Sequence, residues 1–352
     1  MNRFAVVSGF LGSGKTTLMM ALTQQGIRDG ISVSMISNDL GNQSLADHRY
    51  ASLSGCPASE LVGECICYQT ENLVERLRSL YEEKGAKLVL SDIPGFGVGA
   101  LEHVYHTLHR DYPSCCILAP FTVVTEPERV RQLMKDEAGD LAYLLDTQLV
   151  EADLIVLNKR DLVSEDELKE MCGYLEKKYP EAQVLAVSAV SGEGLHGLLQ
   201  VLTEQEASMH RPDIGYGGEA FQASMSLISE YYQQYHVSVC CDTFDGNAYL
   251  KDLAQAIRES IREKGADLPH LKLLAFSEDG DYAKADLLGI SREIELAHTF
   301  AKPCTDLGVM LNGSALYPAD ELDELISACV ALVSENYQLE VTSFKKECFG
   351  MG

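Results

Sequence analysis

Apolar residues fall into two rhythms along this chain. Short unbroken runs, among them residues 4–8 (FAVVS), 33–38 (VSMISN), 87–91 (KLVLS), 154–157 (LIVL) and 184–187 (VLAV), read as strands buried on both faces. Between them lie stretches with helical spacing, such as residues 15–26, predicted to end at Gly26, and residues 70–85 (TENLVERLRSLYEEKG). The alternation continues to about Leu202. It predicts an α/β fold, a mostly parallel sheet with helices on both faces.

The rhythm breaks in residues 206–220, where Pro212 and three glycines interrupt any periodicity. The expected organisation is an α/β domain over 1–205, a linker over 206–220, and a smaller C-terminal α/β domain over 221–352. In the last of these, residues 236–242 and 271–277 read as strands. The helix between them, 247–265, carries Leu250, Leu253, Ala254, Ile257 and Ile261 on one stripe. Residues 306–313, 319–336 and 338–344 repeat strand–helix–strand, so two βαβ units in series predict a ferredoxin-like αβ sandwich. The tail from Lys345 onward reads as frayed.

At 352 residues and 46% hydrophobic, the chain can bury two ordinary cores. A formal charge of −25 argues against a nucleic-acid backbone or an anionic membrane surface as partner. No apolar run approaches the ~20 residues that span a bilayer, and residues 1–10 lack the layout of a cleavable signal. Eleven cysteines without a secretory pattern point to free thiols in a reducing, cytoplasmic setting, with Cys115, Cys116, Cys240 and Cys241 expected inside buried strands.

Residues 9–16, GFLGSGKT, follow a strand and open a helix, the context in which the G-x-x-x-x-G-K-[ST] pattern binds phosphate. Glycines let consecutive N–H groups of Gly12, Ser13, Gly14, Lys15, Thr16 and Thr17 curl round phosphate oxygens, and the helix N-terminus adds partial positive charge. Lys15 is placed to bridge the β- and γ-phosphates, and the Thr16 hydroxyl to ligate Mg²⁺. The base is read from NKRD: Asn158, Lys159 and Asp161 follow a buried strand. An aspartate accepts from the ring N–H and exocyclic amine of guanine, a donor pair adenine lacks. Lys159 can lie over the base, and Asn158 can tie the loop together. A third loop, SAVSGEG, brings Ser188 and Ala189 within reach of the guanine carbonyl. The nucleotide is therefore GTP, and an ATP-dependent kinase is disfavoured. Asp92, with Gly95 after it, and Asp39 are two candidates to hold Mg²⁺, sense the γ-phosphate or orient the attacking water.

In this order, GFLGSGKTTL, SNDLG, ELVGECICYQTENLVERL, DIPGFG, EADLIVLNKRDLV and SAVSGEGL resemble the CobW-type GTPases, relatives of the hydrogenase and urease nickel-insertion GTPases. The resemblance covers residues 1–205 and implies GTP hydrolysis coupled to delivery of a metal ion or a corrinoid-type metallo-cofactor to a client protein. Two departures stand out. The family usually has Glu at Asp92, and its C-x-C-C motif here reads Cys65, Ile66, Cys67, Tyr68.

A C-x-C pair offers two thiolates to one ion such as Zn²⁺, Co²⁺ or Cu⁺. Two ligands do not close a tetrahedral site, so Cys56, nine residues before Cys65, is the candidate third, with Glu64 or a client ligand fourth. The competing reading of Cys65 and Cys67 is simple packing beneath the nucleotide. His103, His106 and His109 recur at helical spacing and form a weaker candidate set. Against the metal-delivery reading stands a nucleotide-gated adaptor with slow hydrolysis and no metal cargo. The oligomeric state is left open, a homodimer included.

Overall fold

A computed structural model of the chain describes residues 2–38, 40, 46–135, 142–212, 214–240, 242–289, 294 and 296–351. It divides after Ser224 into two compact units. The first contains β1 (Arg3–Ser8), α1 (Lys15–Asp29), β2 (Val33–Asn38), α2 (Ala46–Leu53), β3 (Ala58–Leu61), α3 (Thr70–Glu82), β4 (Leu88–Asp92), α4 (Thr107–Asp111), β5 (Ile117–Leu118) and β6 (Thr122–Thr125). It continues through α5 (Pro127–Lys135), α6 (Ala142–Val150), β7 (Leu154–Leu157), α7 (Glu165–Lys178), β8 (Gln183–Ala186), α8 (Leu195–Glu204) and α9 (Glu219–Met225), the last ending at the division. The sheet order is β3-β2-β4-β1-β6-β7-β8, with every pairing parallel and β5 pairing the start of β1.

Both faces of this sheet are covered, which is why its strands read as unbroken apolar runs. Along β1, Phe4 and Val6 enter one core with Leu73, Leu77, Tyr105 and Leu175, while Ala5 and Val7 enter the other with Leu18, Leu22, Leu198 and Leu202. Because the strands are parallel, the ends of β1, β2, β4, β6, β7 and β8 lie along one edge, the edge where open α/β sheets place ligands.

The second unit holds β9 (Ser229–Ser238), α10 (Gly246–Glu263), β10 (Asp267–Phe276), β11 (Tyr282–Leu287), β12 (Leu296–His298), β13 (Asp306–Leu316), α11 (Ala319–Asn336) and β14 (Glu340–Gly350). Its sheet is antiparallel, ordered β12-β11-β10-β13-β9-β14. The run β10-β13-β9-β14 is the ferredoxin-like arrangement of a split βαβ pair, with β11 and β12 added beyond β10. The stripe of α10 is fully buried, with Leu250, Leu253, Ala254, Ile257 and Ile261 packed against Tyr231, Tyr235 and Val237 of β9. Asp245 starts that helix by accepting from the N–H groups of Asn247 and Ala248 at 2.9 and 3.0 Å.

Four expectations are corrected. Helix α1 does not stop at Gly26 but runs to Asp29, capped by Gly30 at φ 71°. Gly26 lies inside it because a Cβ there would stand 2.6 Å from Ile31 O and Val33 Cγ2, so glycine serves close helix–strand packing, not termination. The tail is not frayed: residues 340–350 pair with β9 along its length. Strand β9 starts earlier than expected and ends at Ser238, leaving Cys240 exposed beyond it. Cys115 and Cys116 are half-buried in the turn before β5, not inside a strand; Cys241 lies outside the described residues.

Candidate functional site

The loop after β1 curls through three left-handed glycines, Gly9 at φ 132°, Gly12 at φ 79° and Gly14 at φ 93°. At Gly9 a Cβ would sit 2.1 Å from Val124 O, so the backbone of this loop touches the end of β6 directly. Lys15, first residue of α1, turns back so that its ammonium donates to Gly9 O at 2.6 Å, across the concavity of the loop. Ser13 Oγ is buried and has no hydrogen-bond partner among the described residues. Thr16 is buried at the helix start.

The loop after β7 meets the glycine loop after β1 through Asn158, which is only 2% exposed. Its Nδ2 donates to Ser13 O at 3.0 Å and its Oδ1 accepts from Ala189 N–H at 3.1 Å, so one amide joins three loops springing from β1, β7 and β8. Gly14 is needed beneath it, since a Cβ there would stand 2.5 Å from Asn158 Nδ2. Lys159 adopts φ 61°, which aims its side chain back along the same edge. Its ammonium donates to Gly12 O at 2.6 Å and lies 3.4 Å from Glu126 Oε2. Asp161 is exposed in the short 3₁₀ turn Arg160–Leu162. Ser188 is buried, with its Oγ accepting from Ser191 N–H at 3.0 Å.

Asp92 ends β4 and pairs in register with Val7, one residue before the end of β1. Its Oδ1 accepts from Asn38 N–H at 2.7 Å, fixing the carboxylate between β2 and β4. Gly95 lies hard against the phosphate loop: a Cβ on it would be 2.9 Å from Leu11 N. Asp39 lies outside the described residues.

Cys65 and Cys67 face each other with sulfurs 3.1 Å apart. The Cys67 thiol is pushed well above the usual thiol range, first by its hydrogen bond with Cys65 and then by burial. Asn38 holds this loop too, its Nδ2 donating to Leu61 O and Glu64 O at 3.1 and 2.9 Å and its Oδ1 accepting from Ile66 N–H at 2.9 Å. Cys56 does not join the pair: it packs in the core on the opposite face of the sheet from Cys65, near Gln24. No group of three or more His, Cys, Asp or Glu among the described residues is placed to hold a metal ion. The three histidines also separate. His103 and His106 lie on a π-helical turn, Leu101–His106, while His109 is exposed on α4. His106 is buried with its Nε2 3.2 Å from His210 O.

Tyr68, where the related motif has a third thiol, is exposed and hydrogen-bonds its hydroxyl to that of Tyr216 at 2.5 Å. Three residues had no signature in the sequence and emerge only from the structure. Glu126 is buried beside Lys159. Gln148 and Glu151 contact the segment after Asp92, with Glu151 accepting from Gly99 N–H at 2.8 Å and Leu101 N–H at 3.3 Å. Burial, opposed by those two bonds, lifts the Glu151 carboxyl to about 7. None of the three belongs to a spacing pattern that could have announced it.

The chain is 25% identical over 173 residues to zinc-regulated GTPase metalloprotein activator 1 of Schizosaccharomyces pombe, covering 46% of this chain and 40% of that protein. It is 26% identical over 214 residues to the zinc chaperone CobW of Pseudomonas aeruginosa, covering 53% and 56%. It thus spans about half the length of these relatives. Among solved structures, HypB from Helicobacter pylori in complex with nickel matches at 18% identity with a TM-score of 0.42, covering 57% of this chain and 85% of that one. The model of the CobW/HypB/UreG nucleotide-binding domain matches residues 3–186, just over half of the chain, with the phosphate loop, Asp92 and the Asn158 loop all inside it. The chain belongs to the CobW/HypB/UreG family.

Proposed function

We propose that this chain is a GTPase that couples hydrolysis of GTP to GDP and phosphate with transfer of a metal ion, Zn²⁺ or Co²⁺, to a client protein. The observation that carries the nucleotide half is the Asn158 amide, bonded at once to the phosphate loop and to Ala189. That junction supports the assignment of the phosphates to the loop after β1 and of the base to the loop that carries Asp161, since it ties the two loops together.

In this reading the N–H groups of Gly12, Ser13, Gly14, Lys15, Thr16 and Thr17 bind the phosphates, and Lys15 exchanges its bond to Gly9 O for the β- and γ-phosphate oxygens. Asp161 accepts from guanine, Lys159 lies over the ring, and the N–H groups at Ser188 and Ala189 meet its carbonyl. Thr16 at the start of α1 and Asp92 at the end of β4 are buried, hard oxygen donors, a set that fits Mg²⁺ and would hold it, with Asp39 as a further candidate. Bound Mg²⁺ supplies charge neutralisation on the phosphates. Gly95 N–H contacts the γ-phosphate, and water attacks in line while Lys15 stabilises the developing charge.

The cargo end is the Cys65–Cys67 pair, which offers two soft ligands to an open site that a client completes. The names of the relatives, a zinc chaperone and a zinc-regulated activator, support zinc as cargo. Tyr68 in place of a third thiol favours the competing reading, a nucleotide-gated adaptor without metal. Metal content measured with and without GTP, on the wild type and on the Cys65→Ser/Cys67→Ser double variant, separates the two. Stoichiometric metal that the double variant loses supports delivery; none in either nucleotide state supports the adaptor.

A further inference from the structure

Two buried side chains of α6 and its C-terminal end, Gln148 and Glu151, lie three residues apart and so share a helix face. Both grip the segment that follows Asp92. Gln148 Nε2 donates to Gly95 O at 3.1 Å and to Gly97 O at 2.9 Å. Glu151 accepts from the N–H groups of Gly99 and Leu101, which begin the π-helical turn. Four backbone groups of one short segment are thus fixed by two side chains from a distant part of the chain.

The segment is also tied by its own buried side chains, Ile93, Phe96 and Val98, and by a turn in which Gly97 N–H donates to Pro94 O at 2.8 Å. It is rich in glycine, with Gly95, Gly97 and Gly99 lacking side chains to anchor them, and Gly99 sits at φ 82°. Yet Gly95 must stay within van der Waals distance of Leu11 in the phosphate loop. A buried amide that satisfies two carbonyls is costly to remove, because both acceptors are then left in a dry site.

We propose that Gln148 is a positioning residue for GTP hydrolysis: by holding Gly95 O and Gly97 O it aims the Gly95 N–H at the γ-phosphate, with Glu151 anchoring the far end of the same segment. The proposal rests on the assignment of Gly95 as the γ-phosphate contact made above. It distinguishes GTP from GDP, since GDP has no group for Gly95 to meet. Neither side chain touches the nucleotide in this scheme.

The test is steady-state GTP hydrolysis and GDP affinity for the full chain carrying Gln148→Met, which keeps the volume and deletes the donor. The expected result is kcat lowered about 10- to 100-fold, the scale of a small misplacement of a reacting group, with GDP affinity held within about twofold. Glu151→Gln, which leaves one acceptor where two N–H groups converge, shows the same split with a smaller loss of kcat. It also supplies the answer if Gln148→Met does not fold. An unchanged kcat in a folded variant, or GTP and GDP affinities falling together, overturns the proposal. An ester in place of the Gly95 amide (glycolic acid at position 95) deletes that N–H without adding a Cβ against Leu11, and separates the two readings. Loss of kcat there with none in Gln148→Met removes the clasp alone, whereas no effect of the ester removes the γ-phosphate assignment and the clasp with it.

Discussion

The phosphate loop and the cysteine loop sit on the same unit and are both braced by a buried asparagine, yet they differ in how far they are finished. Asn158 closes a ring of contacts in which the phosphate loop, the Lys159 loop and Ala189 are mutually fixed. Asn38 braces the Cys65 loop with three bonds of its own, but the sulfurs it presents number two, and Cys56 is on the other face of the sheet. A site that must discriminate one purine gains from rigidity, because an unpaired buried group in the wrong complex is what rejects the competitor. A site that hands on its contents gains from an incomplete ligand set. On the proposed function, the contrast is between a closed recognition site and an open transfer site.

The largest expected effect tests the open site. Replacing both Cys65 and Cys67 with serine lowers Zn²⁺ affinity by at least about 10³-fold, since each thiolate of a zinc site is worth several kcal/mol. Cys56→Ser leaves that affinity in place, as titration with a metallochromic competitor checks. Retained affinity in the double variant would move the metal elsewhere and erase the contrast. The closed site is broken next by Gly9→Ala. The added methyl meets Val124 O at a φ of 132°, and the expected loss of stability is about 3 kcal/mol or more, read by chemical denaturation.

Asp161→Asn is expected to cut the preference for GTP over ATP by about 10²-fold, with little effect on stability because Asp161 is exposed. Competition binding measures it, and an unchanged preference would mean that the base is read by other groups. The smallest effect sharpens the boundary between the two loops, where Glu151 lies near enough to Cys67 for its charge to disfavour a thiolate there. The folded carboxyl titrates at about 7, above its ordinary value of 4.5, so the folded state holds the extra proton. Stability from this group is present in full below about pH 4.5 and is lost as pH rises through 7, by roughly 2 kcal/mol between pH 5 and 7. Glu151→Gln therefore flattens the fall in unfolding free energy between pH 5 and 7; an unaltered slope would show that Glu151 is ionised throughout.

Much of the nucleotide edge was legible because its determinants are local. A loop that must curl needs glycines at fixed offsets, and a parallel strand buried on both faces writes itself as an apolar run such as residues 154–157. The ferredoxin-like unit was legible for a similar reason, since the stripe on α10 has the helical period. Gly26 misled because glycine ends helices and also permits close packing, and only the neighbouring Val33 decides which. The tail misled because strand pairing of residues 340–350 is settled by β9, more than a hundred residues earlier.

By itself, then, the sequence determined the glycine-rich loop after β1, the NKRD loop after β7 and the thiol pair, because backbone conformation and donor chemistry are properties of short segments. The tertiary structure alone decided that Cys56 and Cys65 are separated by a sheet, that Asn158 joins three loops, and that Gln148 and Glu151 hold the segment after Asp92. Those facts depend on which strands lie beside one another and on which side of the sheet each connection crosses. Spacing along the chain carries no record of either.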